Sequence, residues 1–133
     1  MKYNVDSYIK RFKARLVARG FSQQEGLDFE DTFAPVIRLK SLRILFALAA
    51  TYRLTAHLLD ATNAYIRSQI DKQIFIEIPE GVKPDRPGQV CELLCSLYGL
   101  KQSAHLWQQK VKKFVTSKGF RQSTADPRVF IND

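Results

Sequence analysis

Asp60 stands directly after Leu58 and Leu59 in the stretch LLDATNAYIRSQID, residues 58–71, where an apolar, strand-like run gives way to small and polar residues. A carboxylate in apolar surroundings is costly to desolvate without a compensating partner. Two partners suit it: a metal ion, or the backbone N–H groups at a helix start. A lone acid does not choose between them. The 2 cysteines, Cys91 and Cys95 in CELLC, and the 2 histidines, His57 and His105, would all be needed to build a zinc site. Their spacings match no zinc pattern, so the cysteines read as reduced, buried thiols. The third chemical feature is RFKARLVARGF, which sets Phe12, Ala14, Leu16 and Ala18 against Arg11, Lys13, Arg15 and Arg19. As a strand it would have one apolar and one strongly basic face. Like charges on one sheet face repel unless an anion lies across them, which points to phosphate; a solvated, charge-blunted edge strand is the competing use.

The elements that would position these groups can be read in turn. Gly20 ends the basic strand, and SQQEGLDFEDTFAPVIRLK reads as a long connection. SLRILFALAATYR, with Ser41 as N-cap and Leu42, Leu45, Phe46 and Ala49 at helical spacing, predicts a deeply buried helix. TAHLLDA, KQIFIEI, QVCELL and RVFI read as strands, and VKPDRPG as a turn-rich loop. AHLWQQKVKKFVTSKGF predicts a second helix ending at Gly119, its apolar stripe formed by Leu106, Trp107, Val111, Phe114 and Val115. Trp107 should be its largest buried side chain. The order strand, helix, three strands, helix, strand is an α+β pattern.

A chain of 133 residues with 45% hydrophobic and 26% charged residues fits one globular domain, able to bury roughly two-thirds of its unfolded surface. No apolar run is long enough to span a membrane, and the N-terminal residues lack a secretory pattern, so an intracellular protein, cytoplasmic or nuclear, is expected. The net charge of +8 is concentrated at the ends. Residues 1–22 carry 6 Lys/Arg against Asp6, and residues 101–133 carry 7 against 2 acids. A polyanion, most naturally nucleic acid, suits such a distribution, although a solvated soluble surface would have it too.

The blocks FKARLVARGFSQQEGLDFEDTFAPVIRLKSLRILFALAA, LLDATNAYIRSQID, IFIEIPEGV, LCSLYGLKQSAHLWQQKV and GFRQSTADPRVFI occur in the order seen in reverse transcriptases of Ty1/copia-type LTR retrotransposons. The chain resembles that family from about Tyr3 to Ile131. The resemblance implies a partial right-hand polymerase: residues of about 1–40 and 70–100 fingers-like, and about 41–69 and 101–133 palm-like. It implies that Asp60 is a catalytic aspartate and that Asp60 and the carbonyl of Ala61 bind Mg²⁺. Two such ions, held by hard oxygen ligands, would act in phosphoryl transfer. Tyr65 matches the steric gate against ribonucleotides, while Tyr98, Gly99, Lys101 and Gln102 match the segment that packs on the template base and the incoming nucleotide. Lys13 and Arg15 match residues that grip the triphosphate. The implied partners are an RNA or DNA template-primer and a dNTP.

The sequence departs from that pattern in two places. Ser103 is followed by Ala104 where the family has Pro, and no Asp-Asp pair occurs in the 133 residues. The other acids offer no substitute: Glu25, Asp28, Glu30 and Asp31 lie in the long connection, Asp71 in a turn, and Asp126 in a turn before Pro127. One carboxylate cannot hold two Mg²⁺ ions against their mutual repulsion, so the chain alone should not polymerise. A fragment of a retrotransposon RNA-directed DNA polymerase is the leading expectation. A non-enzymatic nucleic-acid-binding module or a protein-interaction module is the alternative. A palm strand left without its neighbour would expose an edge, which implies marginal stability or self-association.

Overall fold

The computed structural model describes residues 2–3, 9–11 and 14–132. Its elements are β1 (Lys2–Tyr3), β2 (Ile9–Arg11), a 3-10 turn (Gly20–Ser22), α1 (Leu39–Thr51), a second 3-10 turn (Tyr65–Arg67), β3 (Phe75–Glu77), β4 (Val90–Glu92), α2 (Ser103–Ser117), β5 (Arg121–Gln122) and β6 (Phe130–Ile131). The architecture is small α+β. Among the described residues, the strands form three two-stranded antiparallel ladders, β1–β2, β3–β4 and β5–β6.

The middle ladder sets Phe75, Ile76 and Glu77 opposite Glu92, Cys91 and Val90. The apolar core gathers beside it: Ile74, Leu97 and Leu100 are buried, with Ala18, Ile70, Ile76 and Leu93 packed against them. Phe29 is buried as well. None of these residues lies in a helix: Ala18 and Phe29 come from the stretch before α1, and the rest from residues 70–100.

Helix α2 forms as its pattern predicts, because Gln and Lys are good helix formers and Leu106, Trp107, Val111 and Val115 supply a half-buried stripe. Phe114 remains exposed, with Lys118 Nζ 5.7 Å from its ring centroid. Gly119, at φ +88°, lets the chain leave the helix. Its N–H donates to the Thr116 carbonyl and that of Phe120 to Val115, the paired bonds of a Schellman stop. Trp107 is only half-buried; the largest fully enclosed side chains are Gln102, Asp126, Ser96 and Ser103.

Four sequence expectations are corrected. Helix α1 begins at Leu39 rather than after Ser41 and buries none of its residues, because no described element covers the stripe carrying Ile44, Leu45, Phe46 and Leu48. The strand expected over TAHLLDA does not form: residues 54–61 pair with no other strand, and Leu58 and Leu59 are 97% and 92% exposed. The basic strand is short. Among the described residues of the basic stretch after β2, only Val17 forms a bridge, isolated and parallel, with Tyr98, and Leu16, predicted to face inward, is half exposed. Lastly, Cys95 is exposed and Cys91 half-buried, both as free thiols: Cys91 lies in the two-stranded β3–β4 ladder and Cys95 in an isolated bridge to Gln69.

Asp126 ties α1 to the last hairpin. It is 2% exposed. One carboxylate oxygen accepts the backbone N–H of Arg38 at 3.0 Å, the other that of Arg128 at 2.9 Å. Ser41 adds a side-chain hydrogen bond, and the Arg38 guanidinium reaches the Ala125 carbonyl at 3.3 Å. The carboxylate thus caps the N-terminus of α1 from 88 residues away, where the helix dipole favours an anion. Those donors, Ser41 first, hold its carboxyl below the usual range. A depressed folded pKa contributes stability that is complete above the unfolded value, about 3.9, and is lost as pH falls through the folded one. Asp126→Asn is therefore expected to lower the unfolding midpoint at pH 7 and to remove this acid-sensitive part of the stability. Thermal unfolding of both proteins between pH 7 and pH 2 checks this; parallel curves over that range would contradict it.

Candidate functional site

The site is built where residues 17–23 meet residues 97–102. The N–H of Ala18 donates to the Tyr98 carbonyl at 2.7 Å, and two glycines let the strands of backbone touch. A Cβ on Gly20 would sit 1.9 Å from the Gly99 carbonyl oxygen, and one on Gly99 would sit 2.1 Å from that of Ala18. Gly99 also has φ +93°, a conformation that side chains with a Cβ disfavour. No other residue fits both.

Beside this approach, Gln102 is fully enclosed and its amide is used on both sides. Its Nε2 donates to the Asp28 carbonyl at 2.9 Å and to Asp71 Oδ1 at 3.4 Å, and its Oε1 accepts from Gln23 Nε2 at 3.1 Å. Gln23 in turn accepts the Lys101 backbone N–H at 2.8 Å, while Lys101 Nζ donates to the Gln23 carbonyl at 3.0 Å. The Lys101 ammonium stands 4.8 Å from the centroid of buried Phe29. Behind Gln102, Ser96 Oγ donates to Ser103 Oγ at 2.6 Å, and Ser103 donates to the Leu97 carbonyl at 2.5 Å. The start of α2 is thereby fixed without a proline at position 104.

On the outer side, Tyr98 lies between two partners. Its ring centroid is 4.7 Å from that of Tyr65, tilted by 50°, and the Arg15 guanidinium lies 5.6 Å away. The 3-10 turn carrying Tyr65 is held to α2 by Lys110, whose ammonium donates to the Arg67 carbonyl. Arg67 itself reaches back to the Thr62 carbonyl at 2.9 Å. The cluster presents a cation and two aromatic faces, the group types that meet phosphate and stack on a base or sugar.

Of the residues singled out from sequence, Arg15, Tyr65, Tyr98, Gly99, Lys101 and Gln102 come together here. Gln102 faces inward as a structural hub, and Gly99 admits the backbone of Ala18. Asp60 and Ala61 are exposed, and Asp60 makes no hydrogen bond or ion pair among the described residues. Lys13 lies outside the described residues. Among those residues, no three His, Cys, Asp or Glu side chains gather into a metal-holding group. His105 is bound within the fold: Nδ1 donates to the Phe33 carbonyl at 2.7 Å, leaving Nε2 to accept from Gln109 at 2.6 Å. Glu30 pairs with Lys72 at 2.5 Å, which lowers the Glu30 pKa and raises that of Lys72. Sequence reasoning missed Gln23, the Asp28 carbonyl and the enclosed Asp126. Gly20, placed where an alternating strand breaks off, was the one available signal.

The reverse transcriptase (RNA-dependent DNA polymerase) family model matches residues 1–133. The chain is 37% identical over 131 residues to the Retrovirus-related Pol polyprotein from transposon RE1 of Arabidopsis thaliana, covering 98% of this chain and 9% of that protein. It is equally identical to the corresponding polyprotein from transposon TNT 1-94 of Nicotiana tabacum, with 98% and 10% covered. To the Transposon Ty1-H Gag-Pol polyprotein of Saccharomyces cerevisiae it is 30% identical over 110 residues, with 77% and 6% covered. No solved structure matches. The chain belongs to the reverse transcriptase family, in its Ty1/copia-type retrotransposon branch. It spans about a tenth of the length of the plant polyproteins it resembles.

The two-glycine contact makes a direct prediction. Gly99→Ala should destabilise the chain by at least about 1–3 kcal/mol, the cost of a side chain in that backbone conformation, with the clash against Ala18 added. Chemical denaturation measures it; an unchanged midpoint would show that the close approach is dispensable.

Proposed function

We propose that the chain supplies the fingers and first part of the palm of a copia-type RNA-directed DNA polymerase, acting inside the cell. Residues of about 1–40 and 70–100 are fingers-like in this reading, and about 41–69 and 101–133 palm-like. The observation that carries it is the convergence of Arg15, Tyr65 and Tyr98 on a backbone held by Gly99, Lys101 and Gln102, in a chain of the reverse transcriptase family. Arg15, with Lys13, would meet the triphosphate. Tyr65, steadied by Tyr98, would close the space beside the sugar. Lys101 would stay near its present position over Phe29.

The family generally uses divalent metals. Asp60 and the Ala61 carbonyl fit part of the oxygen shell of one Mg²⁺ ion. They do not fit a pair of ions, which need further carboxylates to offset their repulsion and complete their coordination. Asp60, exposed and without a hydrogen bond among the described residues, has no such neighbour in a metal-holding group. The 133 residues alone are therefore assigned no phosphoryl-transfer step.

A second reading, a nucleic-acid-binding module without catalysis, is favoured by one feature. Residues 101–125 carry 6 Lys/Arg and no acid. Backbone phosphates would suit that stretch whether or not chemistry follows.

The test is primer extension on an RNA template with Mg²⁺ and dNTPs, with hybrid binding followed in parallel. No extension is expected from the isolated chain, while binding to the hybrid should weaken steeply as salt rises. Extension that disappears in Asp60→Asn would overturn the claim of inactivity, and a flat salt dependence would sink phosphate-led binding.

A further inference from the structure

Tyr65 sits in a turn that shapes itself but does not place itself. Asn63, at φ +54°, bends the chain into the 3-10 turn, and Arg67 Nε closes back on the Thr62 carbonyl at 2.9 Å. Within it, the Arg67 N–H donates to the Ala64 carbonyl at 3.2 Å and the Ser68 N–H to the Tyr65 carbonyl at 2.9 Å. All of these bonds are local. A 3-10 turn of three residues lacks the regular bonding of an α-helix, so its orientation must come from bonds to the rest of the chain.

Polar contacts supply that orientation beside the Tyr98 ring. Where the chain leaves the turn, the carbonyl of buried Ser68 accepts the Ser96 N–H at 2.8 Å. At the turn itself, the Lys110 ammonium donates to the Arg67 carbonyl. Lys110 stands about two turns along α2 from Ser103, whose hydroxyl bonds to Ser96 and Leu97 fix that end of the helix next to the segment carrying Tyr98. One helix thus sets the separation of the two tyrosines. A charged donor bonds a carbonyl more strongly than a neutral one, and Lys110 is exposed, so taking it away strands no buried charge.

We propose that Lys110 is a positioning residue for sugar selection. By holding the Arg67 carbonyl to α2 it keeps the Tyr65 ring against Tyr98, 4.7 Å between centroids, where that ring refuses the 2′-hydroxyl of a ribonucleotide. Lys110 acts through Tyr65 and not on the nucleotide. The inference rests on the polymerase reading of Tyr65 and adds to it the side chain that sets the ring's place.

Amide exchange and nucleotide titration of the full chain, compared for wild type, Lys110→Met and Lys110→Arg, test it. The titrants are dGTP and GTP with Mg²⁺, which differ only in the 2′-hydroxyl. Wild type should favour dGTP. In Lys110→Met the Ser68 N–H should lose protection and the preference for dGTP should shrink by about ten-fold, the low end for one lost contact in a pocket. The Ser123 N–H, bonded to the Val129 carbonyl, should stay protected as the sign of intact folding, and Lys110→Arg should keep both properties of wild type. Should Lys110→Met lose its wild-type circular dichroism, Lys110→Gln takes its place. A charge acting directly on the triphosphate would affect both nucleotides alike and leave their ratio unchanged. That result, or Ser68 protection that survives in Lys110→Met, would overturn the proposal. Wild type that binds the two nucleotides equally, or neither, would instead sink the polymerase reading of Tyr65, and sugar selection by Lys110 with it.

Discussion

The structure depends on two backbones touching. Residues 17–20 and 98–99 approach within a distance that a single methyl group would forbid on either side, and the two glycines bring no side chain to the contact. Gln102 compensates. Its enclosed amide joins Gln23, the Asp28 carbonyl and Asp71, so three separate stretches are fixed to the start of α2 by polar groups whose geometry is directional. Because a buried amide left without partners costs about 1–3 kcal/mol, these contacts reinforce one another: the glycines bring the chain close enough for the hydrogen bonds, and the hydrogen bonds keep it there.

That constraint explains the uneven distribution of order. Close to the hub, Phe29, Ile74, Leu97 and Leu100 are buried and Tyr98 is set against both Tyr65 and Arg15. Away from it, α1 is attached at its N-terminus through Asp126 and leaves an apolar stripe in solvent, and residues 54–61 carry Asp60 into the open. The two parts of the chemistry are therefore unequally prepared. Of the residues proposed to meet a nucleotide and a metal, the cation and the aromatic groups have partners, whereas Asp60 is exposed and makes no hydrogen bond among the described residues.

How much of this was legible in the sequence follows from the range of each interaction. Helix α2 and its stop at Gly119 were readable because a 3.6-residue period and a glycine cap are local. The β3–β4 ladder was readable from two apolar runs separated by a turn-rich loop. The depth of α1 was not: its period reports which face is apolar, but burial needs a second surface, and no described element provides one. The 55–61 strand failed for the same reason, since a strand exists only with a partner. Among the candidate site residues, the LYGLKQ segment and Tyr65 could be named, but not the inward turn of Gln102. A glutamine enclosed by Gln23 and Asp28, more than seventy positions earlier, leaves no mark on its own neighbours. Asp126 was read as an ordinary turn before proline, although it caps a helix 88 residues away.

The central claim is that Gln102 keeps residues 17–23 docked on residues 97–101, and amide hydrogen exchange reads it most directly. The account predicts that Gln102→Leu deprotects the N–H groups of Ala18 and Lys101 together, while the Ser123 N–H, bonded to the Val129 carbonyl at 2.8 Å, keeps its protection. Continued protection of Ala18 in that variant would contradict it.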